Sequence, residues 1–193
     1  MGSQIDYIGS LVVNGLVILL VLTLNSNVAT TSFQRTRDLS SQQSATTMME
    51  ILESDLFLAG YRSEDVPFLQ ADSTAIRFTA DLDDNGVVDT VAYVLGTPSE
   101  NGLTPNLRDR PLRRRVNSTL PYDIAQGLVE FTFAYFDTGG HRMVYDSLKA
   151  ASHRALIRLL EIRFRVEPSD PLDTTYIPVE VRRTIRPRNV GGW

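Results

Sequence analysis

The residues best placed to do chemistry lie in the stretch DLDDNGVVD, Asp81 to Asp89. Asp81, Asp83 and Asn85 occupy positions 1, 3 and 5 of a calcium-type loop, Gly86 occupies position 6 and Asp89 position 9. Carboxylate and amide oxygens at that spacing can wrap a hard cation. Position 12 is Ala92, where a bidentate Glu belongs, and the flanking residues alternate as strands rather than forming a helix pair. The preferred expectation is a plain β-hairpin whose Asn85-Gly86 pair supplies the positive φ angles of a type I′ turn. A weak calcium site, in the millimolar range of extracellular modules, is the alternative.

The other reactive residues are sparse. The chain has no Cys, which removes disulfides, thiolate metal sites and a Cys nucleophile. His141 and His153 are isolated and lack the spacing of a zinc site. A Ser/His/Asp triad needs no adjacency in sequence. However, the chain has no G-x-S-x-G elbow, P-loop or dinucleotide fingerprint, so no enzymatic activity and no cofactor are expected. The one basic cluster is RDRPLRRRV, Arg108 to Val116. Against a net charge of −4 it gives no case for nucleic acid. Three consecutive Arg on a strand cannot share a direction, so Arg114 is expected to differ from Arg113 and Arg115 and to pair with a carboxylate.

The elements that must carry these residues begin with IDYIGSLVVNGLVILLVLTLNSN, Ile5 to Asn27. No charged side chain occurs from Tyr7 to Gln34. About 20 apolar residues suffice to cross a bilayer, and Ile8 to Leu24 is near the lower limit. A cleaved signal peptide would carry Lys or Arg before its apolar core, and a core helix of a small domain would not be apolar on all faces. A single-pass membrane helix is therefore expected, with the larger C-terminal part outside. Downstream, Leu39, Ala45, Met48, Met49, Leu52, Leu56 and Ala59 form one amphipathic stripe, and Gly60 stands where a C-cap belongs. One helix from about Ile8 to about Ala59, roughly 75–80 Å long, is expected.

Beyond Gly60 the period changes to two. STAIRFTAD, VVDTVAYVL, GLVEFTFAYFD, LLEIRFRVE and YIPVEVRRTIRP all alternate, with Pro178 marking an edge. The expected fold class is α+β: a long N-terminal helix, half for membrane and half amphipathic, on a C-terminal antiparallel sheet. The expected division is 1–60 for the helix and 61–193 for a β-rich head.

This layout resembles type IV pilins, and most of all PilW-type minor pilins and J-type minor pseudopilins of type II secretion. The likeness rests on LESDLFLAGY as the helix end, AIRFTADLDDNGVVDTVAYVL as the first hairpin, and LRRRVN followed by IAQGLVEFTFAYFD as the next strands. EIRFRVE and RTIRPRN complete it. The resemblance implies a structural subunit that leaves the cytoplasmic membrane for a periplasmic or cell-surface filament. Its partners would be other pilin-like subunits and the assembly machinery. The family's basic leader, Gly-Phe junction and Glu at the fifth mature residue are not matched. Loss of the initiator Met would make Gly2 first and Asp6 fifth, so that Asp6 with the Gly2 α-amine takes the place of the family's assembly pair. Asp6 as an ordinary helix N-cap is the alternative. The competing function is a membrane-anchored binding module of the cell envelope that never polymerises.

Overall fold

The computed structural model describes residues 2–101, 104–168 and 176–190, leaving aside the side chains of residues 2–7, 33, 34 and 37. The chain divides into two compact units, Met1–Leu39 and Ser40–Trp193. Helix α1 runs Gly2–Leu58. Eight strands follow among the described residues: β1 (Phe68–Ala71), β2 (Ala75–Ala80), β3 (Asp89–Leu95), β4 (Leu112–Val116), β5 (Tyr122–Asp123), β6 (Leu128–Phe136), β7 (Leu159–Val166) and β8 (Val179–Ile185). A one-turn helix α2 (Ala151–Arg154) precedes β7. The class is α+β, as its alternating segments require.

In the first unit, every large apolar side chain of α1 from Ile8 to Leu24 is exposed. In the second unit, Ala45, Met48, Leu52, Leu56 and Ala59 are all buried, at 2% exposure or less. They share one core with Phe68, Ile76, Phe78, Val91, Tyr93 and the inward residues of β6 and β7. Residues spaced three and four apart stack on one helix face, which is why this stripe can seal a sheet along its length. Leu39 departs from the expected stripe. It is 64% exposed and belongs to the first unit, one residue before the packed part of the helix starts. The two units therefore part at residue 39, whereas the sequence period changes at residue 60.

Gly60 ends the helix as its position predicts. Its φ is +84°, and a Cβ there would lie 2.7 Å from the Asn189 carbonyl oxygen. The exposed carbonyls of the last helical turn find distant partners: Arg188 N–H donates to Phe57 O at 3.2 Å, and the Asn189 amide donates to Leu58 O at 3.5 Å.

The expected single sheet is in fact two. One has the order β1-β2-β3-β4-β5, the other β6-β7-β8, and every pairing is antiparallel. The first is a meander in which each strand pairs with its sequence neighbour, and β6 starts the second sheet. Single hydrogen bonds connect the two, Arg110 N–H to Leu128 O at 2.7 Å and Phe133 N–H to Ser73 O at 2.8 Å. The alternation of β7 holds: Leu160, Ile162, Phe164 and Val166 are buried and Arg163 is exposed. Glu161 is also buried, because Arg163 and Arg182 close over its carboxylate at 2.5 and 2.8 Å. Among the described residues strand β8 pairs only with β7, in keeping with Pro178 just before it.

Leu52 and Leu56 are fully buried where the helix meets the sheets. Leu52→Ala is expected to destabilise the head by about 2–5 kcal/mol, whereas Leu39→Ala changes stability by less than about 0.5 kcal/mol. Urea denaturation of the detergent-solubilised chain measures both.

Candidate functional site

Among the described residues one helical stretch is long and apolar enough to cross a membrane, Ile8–Ser32, and none of it is buried. Exposed Leu, Val and Ile on all faces of a helix demand a non-aqueous neighbour, because a helix that is hydrophobic all round is a buried one. This surface is the principal candidate site. The Gly2 and Asp6 pairing proposed from sequence lies outside the described side chains.

The loop between β2 and β3 brings its carboxylates together. One oxygen each from Asp81, Asp83 and Asp89 lies within 4.8 Å of the others. Those oxygens already accept protein donors. Asp81 takes the N–H groups of Asn85 and Gly86 at 3.1 and 2.9 Å and the Arg62 guanidinium at 2.8 Å. Asp89 takes the Leu82 N–H at 3.2 Å and the Asn117 amide at 2.6 Å. Arg62 also reaches Asp84 at 3.0 Å, so a fixed cation stands where calcium would supply charge. This donor set fits a self-closed hairpin loop better than a calcium cage. The turn itself differs from expectation. Eight residues, 81–88, separate the strands, and positive φ falls on Asp84 and Gly86 rather than on the adjacent pair Asn85-Gly86. Asp81 side-chain bonds to successive backbone N–H groups hold this wider loop, a local competitor to a two-residue turn.

The buried network between α1 and the first sheet was half visible in sequence. Arg114 does point away from Arg113 and Arg115, and it grips Asp55 of α1 with Nε at 2.7 Å and Nη2 at 3.1 Å. The Tyr93 hydroxyl donates to the same carboxylate at 2.5 Å. Burial and the adjacent Asp55 push the Tyr93 phenol well above its ordinary range, so it stays a neutral donor. Burial works against the Arg114 charge, but Asp55 outweighs it and raises its pKa above the usual arginine value. Arg113, on the opposite face, pairs with Glu100 and with Asp123.

A second buried cluster gave no sequence signal. Glu167 accepts Arg108 at 3.1 Å and Arg165 at 3.1 Å. Nearby, Asp109 is held by the Thr104 hydroxyl at 2.6 Å, while its Oδ1 is buried without a partner among the described residues. Burial first, then the neighbouring Glu167, push the Asp109 pKa up. Two acidic residues 58 positions apart carry no mutual pattern, so only the fold reveals them. An open groove of about 600 Å³ runs along Ser40, Gln43, Ser44 and Thr47, faced by Asn101 and Gln126. Its described lining mixes these hydroxyls and amides with the Asp123 carboxylate and with Pro105, Pro111, Ile124 and Ala125. His141 lies 3.4 Å from Asp137 on the surface and His153 sits in α2, so the two histidines share no described site.

No protein-family model matches this chain, and no curated protein matches it either.

Two outcomes follow for the head. Arg114→Ala leaves Asp55 buried beside a neutral phenol and should cost about 3–5 kcal/mol, against about 1.5–3 kcal/mol for Tyr93→Phe, both read by denaturant titration. For Asp81, burial pushes the pKa up, but Arg62 and the Gly86 and Asn85 N–H groups outweigh it and hold it below the usual value. A folded pKa below the unfolded one gives stability that is present above the unfolded carboxylate range and is lost as pH falls through the folded value. The stability gap between wild type and Asp81→Asn is therefore expected to be full above about pH 5 and to close on acidification below about pH 4.

Proposed function

We propose that this chain is a pilin-like structural subunit of a type IV pilus or a type II secretion-like pseudopilus, in a minor or initiating role. The observation that carries the reading is the composition of α1. One helix contains a segment apolar and exposed on every face, Ile8–Leu24, and a stripe buried in the head's own core, Ala45–Leu56. The first needs lipid or other helices; the second needs none beyond this chain.

In this reading Ile8–Leu24 holds the subunit in the cytoplasmic membrane with the head outside. Assembly exchanges lipid around the helix for the helices of other pilin-like subunits. Close packing and polar contacts drive that exchange, since lipid tails are as apolar as Leu. In a filament core closed to water the same side chains remain buried, at about 25 cal/mol per Å² of apolar surface relative to exposure. A head-to-tail contact that does not close propagates as a fibre. With the initiator Met removed, Asp6 and the Gly2 α-amine form the assembly pair, since a carboxylate at the edge of a bilayer is costly unless matched. No catalytic step, cofactor or nucleic-acid contact is part of the mechanism. The second reading, a membrane-anchored binding module that does not polymerise, draws its support from the open groove of the head, which combines hydroxyls and amides with Asp123 and apolar side chains.

Electron microscopy of sheared surface filaments separates the two. Side-chain density matching this sequence is expected inside filaments, and Asp6→Ala is expected to reduce incorporation. Cells that carry the chain in their membranes but never in a filament would leave the anchored module as the answer. Val17→Arg places a charge at the centre of the apolar segment, at a cost of about 2.5–3.5 kcal/mol, and is expected to lower the carbonate-resistant membrane fraction.

A further inference from the structure

The apolar segment holds one side-chain amide. Asn14 is exposed on the helix between Leu11, Val12, Val13 and Leu16, Val17, Ile18, all of them exposed as well. The middle of Ile8–Leu24 is Leu16, so Asn14 lies about 3 Å along the axis from it. Measured against the longer span Ile8–Ser32, the offset is about 9 Å. Both positions fall inside a hydrocarbon layer about 30 Å thick.

Three threonine hydroxyls in or just beyond this segment are satisfied locally. Thr23, Thr30 and Thr31 each donate to the carbonyl four residues back, at 2.8, 2.9 and 2.9 Å. Asn14 makes no such bond and has no partner among the described residues. A primary amide brings two N–H donors and a carbonyl acceptor, which lipid tails cannot match. An unmatched amide in hydrocarbon costs several kcal/mol by transfer scales.

We infer that Asn14 is the residue through which this helix recognises a second copy of this chain within the bilayer. The amide is self-complementary: the carbonyl of one Asn14 accepts an N–H of the other. A parallel second copy necessarily presents that amide at the same depth, whereas an unrelated helix would have to carry a polar group there independently. A lone Asn in an apolar seam fixes register as well as partner. The pairing rests on the reading of Ile8–Leu24 as a membrane helix. It predicts which face meets the partner. Ser10, Val17 and Val21 lie on the Asn14 side, at i−4, i+3 and i+7, while Val12, Leu16 and Leu19 lie opposite.

The chain's lack of Cys makes the test direct, since each introduced thiol is the only one present. The full-length chain is placed in phospholipid vesicles as Val17→Cys, Val21→Cys, Leu16→Cys or Leu19→Cys and oxidised with copper phenanthroline. Disulfide-linked dimers are expected from positions 17 and 21 and few from 16 and 19. Adding Asn14→Leu is expected to lower the dimer yield about fivefold, and Asn14→Gln to retain most of it. The denaturation midpoint of the head, unchanged by either substitution, verifies folding. Equal cross-linking on both faces, or full cross-linking in Asn14→Leu while the chain stays carbonate-resistant, overturns the amide pairing and leaves the membrane helix standing. Release of the wild-type chain by carbonate overturns both.

Discussion

The head exists because one face of a helix is sealed against two small sheets. Neither sheet can bury its inner face alone. The first has only a two-residue strand at one end and the second has only three strands. Met48, Leu52 and Leu56 from α1 meet Phe78, Tyr93, Phe133 and Ile162 in one continuous core. Without that stripe the sheets would have a wet apolar face, and with it they enclose fully buried Phe78, Tyr93, Phe133, Tyr135, Leu160 and Ile162. The hydrogen bonds of Arg110 to Leu128 and of Phe133 to Ser73 tie β6 to the loops at the ends of the first sheet's strands, but helix packing gives the two sheets a common interior.

Electrostatics fixes how the stripe sits. Apolar packing tolerates sliding by a helical turn, because Leu follows Leu at i+4. The Asp55 carboxylate does not tolerate it, since the fork of Arg114 and the hydroxyl of Tyr93 meet it at one position only. A buried ion pair of this kind sets register more than it adds net stability. On the outer face of the second sheet, Glu161 plays a lesser version of the same part between Arg163 and Arg182, tying β7 to β8.

Much of this was legible in the sequence where the controlling physics is local. The change of period at Gly60, the alternation of β7 and the reversed direction of Arg114 all follow from stereochemistry within a few residues. What lay hidden was set by partners far along the chain. Nothing near Arg114 names Asp55, 59 residues away. The division into two sheets depends on where β6 pairs, and the Asp109–Glu167 cluster on where two loops meet. The loop at 81–88 misled for a different reason. Asn85-Gly86 is a strong hairpin signal, but the buried Asp81 side chain captures the backbone N–H groups that a tighter turn would have used.

The closing contact at the end of α1 has a kinetic meaning. The Phe57 and Leu58 carbonyls are met by Arg188 and Asn189, about 131 residues later. At ribosomal speeds of 5–20 residues per second, that interval is on the order of 10 s. The apolar start of the helix thus emerges long before the groups that meet the carbonyls of its last turn have been made. Loop closure over such a separation is slow compared with helix growth. Synthesis therefore imposes an order: the greasy end is committed to its surroundings first, and the globule locks shut last.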